Sequence, residues 1–391
     1  MGFRSHIFHG NRRLVVPLTR ACVVHSTLNS VGGGERVCLA VIEALKKLGY
    51  EVALITAEPT DWDRVKEMVG HIIKPDKEIH VFPIKVRLFG IYLRSMTFLK
   101  SARAGKKCNV IVNTHGDFLP VPSDIVYMHY PTFSLLRETH VNVKYSKSLF
   151  WRMYFIPYER IQGRLAKKAK SGVLLTNSEY SRKAIMRHLN TNAIVLHPPV
   201  DVSRFAKIAG SGSREERVVL CGRYTPEKNY EFALMVAREL PHVGFTIVGA
   251  CSGKVSNAYY AKLVKLKEKL KLKNVELLRD VPARKQLELY SRSKVLLHAM
   301  IGEHFGIAVV EGMAAGLVPV VHKSGGPWLD VLDRGRYGFG YSSLDEAVEA
   351  VERALKSYNY HATKAVERAK VYSKDRFIKA FTEIVKRLVS A

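Results

Sequence analysis

The chain is poor in acid, nearly free of glutamine and without a long apolar run. It holds 35 Asp and Glu against 62 Lys and Arg, for a formal net charge of +27. Such an excess points to an anionic partner surface. It is also concentrated, because residues 85–170 carry 16 basic and 4 acidic side chains. No stretch approaches the roughly 18 apolar residues of a spanning helix. The opening Met1-Gly2-Phe3-Arg4-Ser5-His6 lacks the apolar run of a secretory signal. Glutamine stands only at Gln162 and Gln286, which with the many Lys and Arg is compatible with a thermophilic source. No short repeat or low-complexity tract occurs. Five cysteines (Cys22, Cys38, Cys108, Cys221, Cys251) show no metal-ligand spacing and are odd in number. They are expected as packed thiols in a reducing compartment rather than as a disulfide framework.

What is present is enough for two domains, at 391 residues with 47% hydrophobic content. Arg20 to His25 is expected as a strand, Val37 to Leu48 as a helix and Glu51 to Thr56 as a second strand. This opens a doubly wound parallel sheet. Between the first strand and the helix lies Gly32-Gly33-Gly34-Glu35-Arg36, a cluster that lets a ligand approach backbone at a helix start. Asp61-Trp62-Asp63 fits a helix cap better than a metal pair. His115 and His129 each follow a strand end, where such sheets place ligands. Val218 to Gly222 is a strand, and Arg223 and Lys228 flank the Pro-bearing turn after it. Two cations there suit a diphosphate, Arg as a fork and Lys as a point charge.

The densest signal is Gly302-Glu303-His304-Phe305-Gly306-Ile307-Ala308-Val309-Val310-Glu311-Gly312-Met313-Ala314-Ala315-Gly316. Its pattern predicts loop, helix, glycine cap, then a buried strand from Leu317 to Val321. Glu303 falls in the loop and Glu311 in the helix. The amides of Phe305, Gly306 and Ile307 would face an anion at the helix start. The plain alternative is an amphipathic helix with two solvated glutamates.

Taken with Ser324-Gly325-Gly326-Pro327 and Met128-His129-Tyr130-Pro131, this stretch resembles the retaining family 4 glycosyltransferases of the GT-B fold. Within them it looks most like the alpha-1,2-mannosyltransferases that extend dolichol-linked oligosaccharides. The resemblance implies an α/β chain of two doubly wound, Rossmann-like domains facing a cleft. Residues 1–198 would form the acceptor-side domain and 199–360 the nucleotide-sugar domain. Residues 361–391, expected helical from His361 to Leu388, would cross back to the first domain. It implies donor contacts from Gly33, Gly34, Arg223, Lys228, Val281, Glu303, Phe305, Gly306, Ile307 and Glu311. Arg223 and Lys228 would meet the diphosphate, Glu311 the ribose, Glu303 the sugar and Val281 the base through its backbone. His129 would face the transferred sugar. The implied catalytic set is Glu303, His129, Arg223 and Lys228, with a nucleotide-sugar donor, GDP-mannose, and no metal.

The acceptor would be a lipid-linked glycan or glycolipid. An anionic membrane surface is the further expected partner, with the chain peripheral on the cytoplasmic face and no nucleic acid bound. The basis is two basic aromatic stretches, 85–107 and 144–170, which include Phe89, Tyr92, Phe98, Phe150, Trp151 and Phe155. Rival readings are a transferase using a UDP-sugar, a sugar-nucleotide epimerase, and a basic nucleic-acid-binding protein.

Overall fold

The structure is a computed structural model that describes residues 19–84, 92, 96–119, 122–131, 149–168, 172–210 and 213–390. The opening hexapeptide, Thr132, residues 144–148 and most of 85–95 fall outside the described residues.

Two parallel sheets organise the chain. The first has seven strands in the order β3-β2-β1-β4-β5-β6-β7. These are β1 (Arg20–Val24), β2 (Glu51–Thr56), β3 (Lys77–His80), β4 (Val110–Asn113), β5 (Ile125–Met128), β6 (Val173–Thr176) and β7 (Ile194–Val195). The second sheet runs β10-β9-β8-β11-β12-β13. Its strands are β8 (Arg217–Cys221), β9 (Gly244–Gly249), β10 (Val275–Arg279), β11 (Val295–His298), β12 (Val318–His322) and β13 (Phe339–Tyr341). The central strands are near-continuous apolar runs, as expected of parallel strands covered on both faces. Both orders reverse beside the first strand of the sheet, and such reversals open a crevice at the strand C-termini.

The helices cover both faces. Helix α1 (Gly33–Lys47) begins at the glycine cluster itself, earlier than Val37. Asp61 caps α2 (Trp62–Val69), its side chain accepting the Arg64 N–H at 3.2 Å. In the basic stretch, α3 covers Phe98–Gly105. Helices α4 (Leu149–Lys168) and α5 (Glu179–Leu189) follow, then the short α6 (Val202–Ala206). The second half adds α7 (Tyr230–Glu239), α8 (Gly253–Lys269), α9 (Ala283–Arg292), α10 (Ile307–Ala314) and α11 (Leu344–Lys356). Residues 358–390 are not one continuous helix. They form α12 (Tyr358–Ala369), a 3-10 turn at Lys370–Tyr372 and α13 (Lys374–Ser390). The break has a physical reason. Val200 N–H donates to Tyr372 O and Lys374 N–H to Val200 O, both at 3.0 Å. The two chain crossings between the halves therefore run paired, which a continuous helix would prevent. Beyond the break, Phe377, Ile378, Phe381 and Val385 of α13 are buried with α1 and the first sheet. Each such side chain contributes about 1.5–3 kcal/mol by burial.

The cysteine expectation is corrected. Cys22 and Cys108 form a disulfide, with Cα atoms 5.9 Å apart, while Cys38, Cys221 and Cys251 are free. Strand pairing causes the approach. Cys22 lies opposite Ile111 in the β1–β4 ladder, and Cys108 sits just before β4. Nothing in the linear spacing discloses that register.

The aromatic expectation for the first half is corrected at Phe155 and Tyr92. Phe155 is buried with Phe118, Met128 and Tyr158, and Tyr92 packs against that cluster. The side chains of Phe98, Phe150 and Trp151, and all of Phe89, lie outside the described residues.

Candidate active site

Helix α10 starts from Gly306, whose φ of +87° is left-handed and strained for any other residue type. Among the described residues, the amides of Phe305, Gly306 and Ile307 donate to no acceptor. A helix start with free N–H groups favours negative charge. The loop before it is held from behind. Gly326 N–H donates to Glu303 O at 2.8 Å, and Gly302 N–H to Ser324 Oγ at 2.9 Å. A Cβ on Gly325 would fall 2.2 Å from Glu303 O. The Gly-Gly-Pro segment therefore backs the Glu303 loop, and only glycine fits that approach. The Phe305 ring is 3% exposed and packs on His197 and Tyr372, so this residue can face the cleft only through its backbone.

Lys228 ends the 3-10 turn Pro226–Lys228 after β8, and its Nζ lies 2.6 Å from Glu303 Oε2. His298 Nε2 approaches the same oxygen at 3.5 Å. Burial pushes the Glu303 carboxyl up. The Lys228 ammonium and the His298 ring outweigh it and hold the carboxyl well below its usual range. Burial lowers the His298 pKa. Sequence reading missed His298. Its signal was a polar residue ending the apolar run Val295-Leu296-Leu297. Arg223 is exposed beyond β8 and makes no ion pair among the described residues. Val281 follows β10, with no hydrogen bond on its amide or carbonyl among the described residues.

The first half supplies the opposite wall. Gly32 N–H donates to Glu35 Oε2 at 2.7 Å and Ser30 Oγ to Glu35 Oε1 at 2.5 Å, which fixes the start of α1. Burial pushes the Glu35 carboxyl up, but hydrogen bonds from His25 and Ser30 hold it far below its usual range. A Cβ on Gly33 would meet Ile307 Cδ1 at 3.0 Å, so the two helix starts face one another. A Cβ on Gly34 would lie 3.1 Å from His129 Nε2. The His129 ring also lies 3.3 Å from the Thr114 carbonyl, and burial followed by the nearby His25 lowers its pKa to about 4. At neutral pH it is an uncharged ring beside the glycine turn. His115 instead sits 3.1 Å from Asp117 with its side chain 7% exposed, a structural placement.

Several contacts cross the cleft among the described residues, including the Glu179 N–H bond to Asp330 Oδ1 at 2.7 Å. Arg36 Nη1 reaches Glu311 Oε1 at 2.6 Å. Ser178 Oγ donates to His304 O at 2.6 Å. Tyr130 stacks on the His304 ring with centroids 4.1 Å apart. The site thus brings together Gly33 and Ile307, Gly34 and His129, and Lys228 and Glu303, while Val281 packs against the apolar cluster around Phe305 and Val309. Among the described residues no group of three or more His, Cys, Asp or Glu is placed to hold a metal.

Two family models match the chain. Residues 31–204 match the family described as Glycosyltransferase Family 4, and residues 201–372 match Glycosyl transferases group 1. The GDP-Man:Man(3)GlcNAc(2)-PP-Dol alpha-1,2-mannosyltransferase of Neurospora crassa is 26% identical over 94% of this chain and 79% of its own length. The Xenopus laevis protein of the same name is 27% identical over 85% and 79%. The solved sucrose-phosphate synthase of Thermosynechococcus elongatus superposes with a TM-score of 0.74 at 14% identity, over 95% of this chain and 99% of that one.

Proposed function

We propose that this chain, which belongs to the family 4 glycosyltransferases of the GT-B fold, moves mannose from GDP-mannose to a lipid-linked oligosaccharide with retention of configuration. The observation that carries the reading is the meeting of two helix starts across the cleft, with the Lys228–Glu303 pair at one of them. The named activity of the curated relatives supports the donor and the acceptor class.

Lys228, Arg223 and the amides of Phe305, Gly306 and Ile307 offset the diphosphate charge that grows as the sugar leaves. No metal is needed for that step. Gly33 and Gly34 let the diphosphate approach the start of α1. Glu311 takes the ribose, and the Val281 backbone meets the base. Glu303 orients the sugar from one side and the neutral His129 from the other. The acceptor oxygen bonds to the anomeric carbon as the bond to the diphosphate oxygen breaks. The electron pair stays on the diphosphate, and one of its oxygens takes the acceptor proton on the same face. Glu303 forms no covalent intermediate, unlike the nucleophile of many glycoside hydrolases. Residues 1–198 hold the acceptor and 199–360 the donor, with 361–391 returning to the first half. The chain works peripherally on the cytoplasmic face of a membrane.

The test is a screen of GDP- and UDP-sugars for thermal stabilisation and slow hydrolysis, followed by transfer to a lipid-linked glycan with the new linkage read by NMR. GDP-mannose should lead. A UDP-sugar leading would overturn the donor. Salt-sensitive retention of nucleic acid with no sugar-nucleotide hydrolysis would overturn the class.

A further inference from the structure

We infer that Arg36 is a positioning residue for the nucleotide, orienting the Glu311 carboxylate from across the cleft so that ribose recognition is complete only when the two domains are closed. The inference rests on the reading that Glu311 takes the ribose.

Arg36 lies in the first turn of α1, where the helix dipole is positive. A cation is disfavoured there unless an anion meets it. The anion it meets comes from the other domain, 275 residues away in sequence, at 2.6 Å. The Glu311 side chain is 6% exposed, and a carboxylate so placed needs a partner. Arg36 is its one ion-pair partner among the described residues. Glu311 has little freedom to turn elsewhere, because Val309, Val310, Gly312 and Met313 around it on α10 are all buried.

The pair is not sealed in a core. Arg36 and Glu311 together border a cavity of about 320 Å³ that extends to Leu39 of α1, Phe205 of α6 and Lys374 of α13. An ionised carboxylate has about four acceptor positions. Arg36 uses one on Oε1, so acceptor capacity remains for the hydroxyls of a ribose diol. Opening the domains would withdraw the guanidinium and leave the carboxylate unoriented. Nucleotide binding and closure are thereby coupled through one ion pair.

The test uses the full chain and calorimetric affinities for GDP and for its 2′,3′-dideoxy analogue, which has no diol. Arg36→Met should bind GDP roughly tenfold more weakly while its affinity for the dideoxy analogue changes little. Arg36→Lys, which keeps the charge, should recover part of the loss and guards against misfolding, with melting curves run alongside. A loss confined to the nucleotide that carries the diol is a signature that a merely structural role would not produce. Wild-type affinity for GDP in Arg36→Met, or equal losses for both nucleotides, would overturn the inference. Glu311→Gln separates the two claims. If it binds both nucleotides as the wild type does, the ribose reading itself fails. If it loses GDP selectively while Arg36→Met does not, only the role of Arg36 fails.

Discussion

Lys228 Nζ lies 2.6 Å from Glu303 Oε2, so the cation assigned to the donor phosphate and the carboxylate assigned to the sugar are partners before any donor arrives. On that assignment, losing Lys228 would remove a phosphate contact, and it also leaves Glu303 without its ammonium. Lys228→Ala should slow transfer about a hundredfold or more, the roughly 2–4 kcal/mol of one charge-assisted contact. The pH profile should change with it. Lys228 holds the Glu303 carboxyl well below its usual range, so its removal raises that pKa. A rate that needs the carboxylate is then lost at a higher pH on the way down. Initial rates from pH 4 to 8 check this, and a Lys228→Ala enzyme transferring at the wild-type rate would refute the assignment.

Glu303 and Glu311 should separate in binding and turnover. Glu311 faces Arg36 at the far side of the helix start, while Glu303 sits in the loop before it. Glu311→Ala should weaken GDP itself, and Glu303→Ala should mainly lower kcat. Calorimetry with the free nucleotide decides, since equal affinity of wild type and Glu311→Ala counts against the division.

The strands and the Glu303–Gly316 segment were legible because each depends on local pattern. Glu51 to Thr56 is apolar and β-branched between a glycine cap and polar turn residues, and it is a strand over that same range. Gly306 and Gly316 mark the ends of α10 as their positive φ requires. What stayed hidden depends on partners distant in sequence. His298 gains its place only when β11 carries it against the Glu303 loop, and Arg36 meets Glu311 only when the domains face. The Cys22–Cys108 contact needs the β1–β4 register. The break at 370–373 needs the paired crossing at Val200.

The disulfide should be worth a measurable share of stability. It closes a sequence separation of 86 residues, for which chain entropy gives about 4–5 kcal/mol. Cys22→Ser should lower the urea midpoint of the oxidised protein, and a reductant should lower the wild type to match. If reductant leaves the wild-type transition unmoved, the bridge contributes nothing to the fold.

His129 should make stability fall in mild acid. Its folded pKa of about 4 lies below the ordinary 6.5, so the unfolded chain takes up the proton first. The contribution is therefore full above pH 6.5 and is lost as pH falls toward 4. By pH 5 the loss is on the order of 2 kcal/mol. Urea unfolding at pH 7.5 and pH 5 should show a smaller drop for His129→Asn than for the wild type. The same drop in both would mean that the ring titrates normally.

Membrane docking by the first half is the remaining prediction, and its apolar contacts differ from the ring insertion first expected. Phe155 is in the core and the half-buried Tyr92 packs against the same cluster. Helix α4 nevertheless turns Met153 and Ile161 outward, at 65% and 48% exposure. Their spacing of two helical turns puts them on one face. Pro157, Arg160 and Arg164 are exposed along the same helix. Apolar tips flanked by guanidinium groups suit the headgroup boundary of a bilayer, each cation near an anionic surface contributing about 1 kcal/mol. Together with the 16 basic residues of 85–170, this can hold at a bilayer a chain in which no described helix is long and apolar enough to cross one. Salt should loosen the attachment, since the Debye length is only about 8 Å at physiological ionic strength. The attachment would also bring the cleft to an acceptor whose lipid tail stays in the membrane. Flotation with anionic and neutral vesicles measures it. Wild type should float with anionic vesicles at low salt, and Met153→Glu with Ile161→Glu should float less while binding GDP normally. Equal recovery with both vesicle types, or no effect of the double substitution, would remove α4 from the membrane surface.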